Sequence, residues 1–267
     1  MKNEFFGNED QIRLATRGQA LWSLLRDKPD YSFYGRMVSL CAPTLENAVE
    51  VVSNLARLQG ATSCQYYPAD NADRFCELLD QQGLNSSRYE QFRGEIEALD
   101  LGREILEKHS FPDDLTLITL ASDTPSELVS DVAELSLSCG VMPVPGQTMR
   151  GNGQPGICHA LVDRDHKPVA TASSYLCNHP ESAKAKDAFW GMLATDPAWR
   201  GHGLGKIIGA HSIVTMWEQF GARSFSTGIK ADNPASMGLC TKLGVTQSDW
   251  TFIGCSDPSA FSGSITR

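Results

Sequence analysis

Residues 200–206 read Arg200-Gly201-His202-Gly203-Leu204-Gly205-Lys206, and they join two apolar runs. Upstream lies Ala188-Phe189-Trp190-Gly191-Met192-Leu193-Ala194-Thr195, the length of a strand; downstream, residues 203–220 have the length of a helix and stop at Gly221. A glycine-rich turn between strand and helix is an anion site in outline. Glycines let the backbone come close to a ligand, and the first helical turn offers unpaired N–H groups at the positive end of its dipole. Arg200 and Lys206 add cations at the rim, suited to a pyrophosphate. Two other phosphate loops fail on spacing. A Walker loop needs four residues between its first Gly and Gly-Lys, then Ser or Thr, whereas here three intervene and Ile207 follows. A dinucleotide loop needs G-x-G-x-x-G, and this turn is G-x-G-x-G with no ribose-binding acid on a following strand.

Outward from the turn, strands are expected at 115–121, 157–163, 168–177 and 223–229, the middle two forming a hairpin across Asp163-Arg164-Asp165-His166-Lys167-Pro168. Thr124-Pro125-Ser126-Glu127 reads as a capping box opening a helix with Leu128, Val132, Leu135 and Cys139 on one face, ended by Gly140. Thr44 opens another, with Leu45, Ala48, Val52 and Leu55 inward and Gly60 at its end. The second half thus runs strand, helix, hairpin, strand, glycine turn, helix, strand, helix, strand. That order predicts an α+β fold built on a mixed sheet flanked by helices.

The first half echoes the second. Gly60-Ala61 precedes Ala69-Asp70-Asn71 as Gly221-Ala222 precedes Ala231-Asp232-Asn233. Gly83 stands 161 positions before Gly244, the offset that also separates Gly60 from Gly221, and six residues beyond lie Tyr89 and Trp250. Phe33-Tyr34-Gly35 matches Phe189-Trp190-Gly191 in type. The expectation is a partial, diverged repeat, with residues 1–110 a degenerate N-terminal lobe and 111–267 the catalytic domain. From Pro43 to Gly60 the first copy is shorter than the second from Pro197 to Gly221, and it lacks the glycine turn, so only the second copy is equipped to bind.

Arg200, Gly203 and Gly205 stand in the register Q/R-x-x-G-x-G/A, and the chain therefore resembles the GNAT acetyltransferase family. Leu193-Ala194-Thr195-Asp196-Pro197 looks like that family's pantetheine-carrying strand and turn. Asn233 through Val245 looks like its N-x-x-A-x-x-L-Y-x-x-x-G-F segment, and the likeness spans roughly residues 115–255 in element order. The resemblance implies a GNAT-type fold with a GNAT-like repeat at the N-terminus, and acetyl-CoA as co-substrate. Leu193 and Thr195 would hold the pantetheine and thioester, and Asn233 would face the cofactor arm. Amides of Gly201, His202, Gly203, Leu204, Gly205 and Lys206, with Arg200, would hold the pyrophosphate. A turn with no ligand is the plainer alternative, disfavoured because three elements agree.

The chemistry implied is transfer of an acyl group to an amine through a ternary complex, which needs a neutral nucleophile, a stabilised oxyanion and a proton for the thiolate. Where the family commonly carries a tyrosine acid this chain has Cys240, whose thiol is a candidate acid and equally a small packed residue. A water, the solvent or another residue such as Tyr175 could serve as the acid instead; Asp187 is the candidate base, and Glu134 a further carboxylate. Residues 141–156 read either as a lid over a small-molecule amine acceptor or as an ordinary connection, and Met142, Met149 and Trp190 as pocket lining or core. The rivals are a CoA-binding sensor or scaffold without chemistry, and a transferase for a longer acyl group or a hydroxyl acceptor. Ala194 and Gly191 near the thioester would be permissive of a longer chain.

Composition bounds the rest. The chain has 267 residues, a net charge of −9 and a pI near 5.1, which argue against nucleic acid or an anionic membrane surface as partner. The start Met1-Lys2-Asn3-Glu4 has no secretory apolar core, and no run approaches the ~18 apolar residues of a membrane span. Eight scattered cysteines without a C-x-x-C pair read as reduced core thiols in a cytoplasmic protein, and dispersed histidines predict no metal site. A homodimer is a family expectation only.

Overall fold

The computed structural model describes residues 4–41 and 47–262. Pro43, Thr44 and Leu45, where a helix start was expected, lie outside them. In the C-terminal half, β5 (Thr116–Thr119), α5 (Ser126–Ser138), a short α6 (Gly146–Met149), β6 (Gly156–Val162), β7 (Pro168–Leu176), β8 (Asp187–Thr195), α7 (Leu204–Gln219), β9 (Ser224–Ile229), α8 (Pro234–Lys242) and β10 (Thr246–Ser256) follow in order. The N-terminal half holds α1 (Glu9–Leu25), β1 (Tyr31–Phe33), β2 (Val38–Leu40), α2 (Ala48–Gln59), β3 (Ala61–Pro68), α3 (Ala72–Asp80), β4 (Asn85–Gly94) and α4 (Ile96–Lys108). The mixed sheet flanked by helices is as the sequence predicts, with one short helix added to the second half.

All ten strands form one sheet in the order β1-β2-β3-β10-β4-β9-β8-β7-β6-β5. Two pairs are parallel, β2 with β3 and β8 with β9, and each is joined through a crossover helix, α2 or α7. The remaining neighbours are antiparallel. The repeat is visible in the last strand of each copy. β4 pairs with β9 of the other half, β10 pairs with β3 of the first, and β4 and β10 pair with each other from Thr246↔Arg93 to Ser256↔Asn85. Each half closes its sheet with the other's final strand. The glycines at the common offset share left-handed backbones, φ +108 and +73 for Gly60 and Gly221, +78 and +71 for Gly83 and Gly244. Tyr89 and Trp250 fall near the midpoints of the crossing strands. One echo fails. Leu40 pairs with Cys64 as Ala188 pairs with Phe225, so the strand equivalent to β8 is β2, and Phe33-Tyr34-Gly35 lies in β1 and the turn after it.

α7 is the central helix because it is apolar on more than one face. Ile207, Ala210, Ile213 and Met216 enter a core with Trp190 and Phe225, while Leu204 and Ile208 enter another with Leu161 and Val169. α5 packs with β6, β7 and β8 through Val129, Val132 and Ala133 beside Cys158, Tyr175 and Met192. Its expected capping box does not form. Thr124 Oγ1 instead accepts from the Ala121 N–H at 2.8 Å, Pro125 occupies the N-cap, and Arg150 donates to the Thr124 carbonyl.

His159 on β6 is held within the sheet, with Nδ1 2.9 Å from Thr119 Oγ1 and Nε2 buried without a partner. Burial, then the neighbouring His211, pushes its pKa down to about 4. The unfolded chain takes up the proton near pH 6.5, so folding stability is fully present above that pH and falls as pH drops towards 4, by up to roughly 3 kcal/mol. Urea midpoints of wild type and His159→Gln measured from pH 7 to 4 should diverge in this window, with the variant losing less. Parallel curves would contradict the assignment.

Candidate functional site

The site begins with a defect in β8. Opposite β7, the register steps from Ser173↔Gly191 to Thr171↔Ala194, which leaves one extra residue in β8. Met192, in that interval, has φ +50, a left-handed backbone uncommon for a bulky residue. β8 pairs with β9 only from Asp187↔Ser224 to Phe189↔Ser226, and beyond Phe189 the two strands separate. The opening between them is a cavity of about 180 Å³ lined by Trp190, Leu193, Ile229, Asn233, Leu239 and Cys240 among others.

The glycine turn stands where β8 leads into α7. Gly201 and Gly203 have φ +83 and +75, and a Cβ added to either would meet nothing within 4 Å. Both glycines therefore serve backbone conformation beside open space. Gly203 is the N-cap of α7, and its carbonyl accepts from Lys206 and Ile207. Among the described hydrogen bonds none is donated by the backbone N–H of residues 201–205. Five N–H groups at a helix N-terminus with no side-chain cap are the donor set a pyrophosphate requires. Asn233 caps α8 by accepting from the Ser236 N–H at 3.1 Å while lining the cleft.

The side chains of the turn are placed less simply. Arg200 Nε donates to the Thr195 carbonyl at 3.3 Å, which also accepts from the Cys139 thiol at 3.4 Å, so this oxygen is engaged within the protein. His202 Nδ1 lies 3.1 Å from the Arg200 carbonyl, turned back on the loop. Lys206 Nζ is 3.0 Å from His109 Nε2 at the end of α4. Arg200 and His202 are exposed but folded onto carbonyls of their own loop, whereas the backbone N–H groups of the turn are without such partners.

Of the three candidate catalytic side chains, Cys240 lines the cleft and the other two line neither cavity described here. Asp187 is 2% exposed, and accepts from Arg93 Nε of β4 at 3.0 Å. Burial outweighs that guanidinium and raises the carboxyl pKa. Tyr175 is fully buried among Val132, Ala133 and Cys158, and burial carries its hydroxyl well above the usual phenol range. Asp187 therefore joins the halves as a structural ion pair, and Tyr175 is core. Cys240 is 3% exposed, and burial pushes its thiol up to about 12. Glu134 is exposed on α5 and lines neither cavity. The segment 141–156 is a packed connection rather than a lid. Met142, Val144 and Met149 are buried, and Arg150 is paired with Glu4. Only Val141 of that segment lines the cleft, and Trp190 does so while buried in the core.

A second, larger cavity was not foreseen in the sequence. About 340 Å³ in volume, it lies against β3, β4 and β10 of the exchanged region, with Gln65, Asn85, Phe252 and Phe261 in its walls. It shares Arg36, Tyr89, Phe189, Gly228 and Lys230 with the cleft, so the two spaces meet. None of these five shared residues belongs to the glycine turn or the Asn233–Val245 segment, and only Tyr89 and Phe189 were marked by the repeat. Among the described residues no group of three or more His, Cys, Asp or Glu is placed to hold a metal. No described helix is long and apolar enough to cross a membrane.

A splayed parallel pair in a mixed sheet, with an uncapped glycine turn between its strand and helix, is the arrangement that the resemblance to the GNAT family implies. Residues 136–245 match the family described as Acetyltransferase (GNAT) family, and this segment of the chain is a GNAT domain. It contains every residue expected to contact the cofactor. No curated protein matches the chain. Among solved structures, a GCN5-related N-acetyltransferase from Kribbella flavida is 17% identical over 92% of this chain and 95% of that one, with TM-score 0.56. A putative acetyltransferase of the GNAT family from Novosphingobium aromaticivorans is 16% identical over 93% and 97%, with TM-score 0.52. A tandem GNAT protein from the clavulanic acid biosynthesis pathway is 15% identical over 79% and 68%, with TM-score 0.54. At these identities the likeness is one of fold, and the tandem neighbour fits a GNAT-like N-terminal half.

A pair of isosteric variants tests the anion site. Asn and Asp both tolerate a left-handed backbone, so Gly203→Asn and Gly203→Asp should have melting temperatures close to each other. Saturating CoA should raise the melting temperature of wild type, raise that of Gly203→Asn less, and leave Gly203→Asp unmoved. Equal shifts in the two variants would show that no anion lies against the turn.

Proposed function

We propose that the protein transfers the acetyl group of acetyl-CoA to a small-molecule amine through a ternary complex. The supporting observation is the meeting of the two cavities. A donor held along β8 by its pyrophosphate and pantetheine would bring its thioester to the junction from one side. An amine in the 340 Å³ cavity would arrive from the other. Acyl transfer forms a C–N bond and breaks the C–S bond; the amine gives up a proton and the leaving thiolate takes one. On this reading residues 111–267 carry the donor site, and the GNAT-like residues 1–110 supply most of the acceptor cavity. The soluble, cytoplasmic location and the homodimer remain expectations of the same proposal.

Among the described residues no Asp, Glu or His lines either cavity, so on this reading proton transfer falls to other groups. A thiolate leaving group has a conjugate acid near pKa 8.5, and a Cys240 thiol held at about 12 would protonate it uphill. Tyr89, at the junction of the two cavities and carrying an O–H donor, is the better placed donor. The absence of a carboxylate or imidazole also favours the second reading, a CoA-binding sensor without turnover.

Release of free CoA thiol from acetyl-CoA in the presence of an amine panel decides between them. Turnover is expected, with Cys240→Ala within about threefold of wild type and Tyr89→Phe lower in kcat by about 100-fold, the low end of general-acid effects. Acetyl-CoA binding without turnover of any amine would leave the sensor reading standing. A full-strength Tyr89→Phe enzyme would remove the tyrosine from the proton path.

A further inference from the structure

Arg36, in the turn between β1 and β2, is 2% exposed, yet its Nε and Nη2 have no hydrogen-bond partner. No carboxylate pairs with it among the described residues; its guanidinium lies over the Tyr34 ring, 5.4 Å from the ring centre, and interacts with the Tyr34 hydroxyl. A buried guanidinium with idle donors is costly unless something anionic completes it. Arg36 lines both cavities at their junction, and so does the half-buried Lys230. Among the described residues these two are the only charged ones in either lining, in a chain whose net charge is −9. Charge of the opposite sign to the whole lines the junction of the two cavities, over the rings of Tyr34 and Tyr89 and with no carboxylate partner among the described residues.

We infer that Arg36 and Lys230 bind the carboxylate of the acceptor, and that the acceptor is a free α-amino acid with an uncharged side chain. This rests on the acetyl-transfer reading and names its substrate class. A planar guanidinium with free N–H groups fits a carboxylate in a paired geometry that an ammonium group does not reproduce. The position of the anion sets the kind of amine. In an α-amino acid the nitrogen is attached to the carbon that bears the carboxylate, so anchoring the carboxylate at the junction also brings the amine there. A longer ω-amino acid anchored at the same point would carry its nitrogen away from the donor. The side chain would then extend into the wider cavity, where Met37, Phe252 and Phe261 offer apolar wall and Gln65 and Asn85 neutral polar groups. With Arg36 and Lys230 both engaged by the α-carboxylate, no charged group among the described lining residues is left to balance a charged side chain. A carboxylate on the donor's acyl group would satisfy the same cations, so the two sources must be separated by experiment.

The test uses the full chain with acetyl-CoA and matched acceptors: phenylalanine, leucine and glutamine, their primary amides, and the corresponding decarboxylated amines. Wild type should acetylate at least one of the amino acids with kcat/KM about 100-fold above its amide and its decarboxylated amine. Arg36→Met should raise KM for that amino acid by about 100-fold and reduce the preference over the amide to a few-fold. Lys230→Met, at a half-buried position, should give a smaller loss of the same kind. Both variants should keep the wild-type thermal shift with CoA, which separates loss of the carboxylate contact from loss of the fold. A wild type that uses amides and amines as well as amino acids would overturn the inference, as would an undiminished preference in both variants. Amines lacking a carboxylate accepted freely, together with a preference for succinyl-CoA over acetyl-CoA that Arg36→Met removes, would place the anion on the donor and overturn it too. If acetyl-CoA shifts the melting temperature but no amino acid is turned over, and none adds to the shift produced by CoA, this inference fails alone. If acetyl-CoA gives no shift, the acetyl-transfer reading fails with it.

Discussion

The antiparallel pairing of β4 with β10 holds the two halves together and sets the position of everything functional. Without it, β10 and β4 would each present an unpaired edge, and the two parallel units β2-α2-β3 and β8-α7-β9 would have no common sheet. The crossing is tight at one end. A Cβ on Gly94 would stand 2.5 Å from the Gly244 carbonyl oxygen, and Gly244 itself has φ +71 against the backbone of Ala98. Arg93 extends the join sideways, reaching from β4 to the buried Asp187 at the start of β8. The ion pair fastens the N-terminal half to the strand that opens the cleft.

That arrangement explains why the site draws on both halves. β8 and β9 diverge because a bulge at Met192 turns β8 away, leaving the cleft open on the side where β4 lies against β9. Tyr89 on β4 and Lys230 just beyond β9 then border the same space, and the turn carrying Arg36 closes over it with Tyr34 stacked on Phe189 at 4.4 Å. The glycine turn can serve an anion because α7 is anchored elsewhere. Ile207, Ile208 and Ile213 are buried in two cores, which leaves the first N–H groups of the helix without structural duty.

The parts legible in the sequence were those written in local pattern. The glycine turn, the hairpin, the α7 helix and the order of elements follow from spacing within a few residues, and so does the repeat, because its glycines must hold left-handed backbones. What could not be read were the contacts that join distant segments. No local signal tells that β10 crosses to β3, or that Arg36 and Phe189, far apart in the chain, line one junction. Asp187 and Tyr175 have the residue types of a base and an acid, but their burial is a property of the assembled sheet. Thr124 illustrates the same limit at close range. The capping-box letters are present, and a competing bond from the Ala121 N–H takes the hydroxyl.

The central claim is that a donor enters along β8 and meets the acceptor at the junction bordered by Arg36, Tyr89 and Phe189. A crystal structure of the protein with CoA tests it most directly. The account predicts the pyrophosphate on the N–H groups of residues 201–205 and the sulfur in the opening between β8 and β9, facing the larger cavity. CoA bound at the N-terminal half, or with its sulfur directed away from that junction, would contradict it.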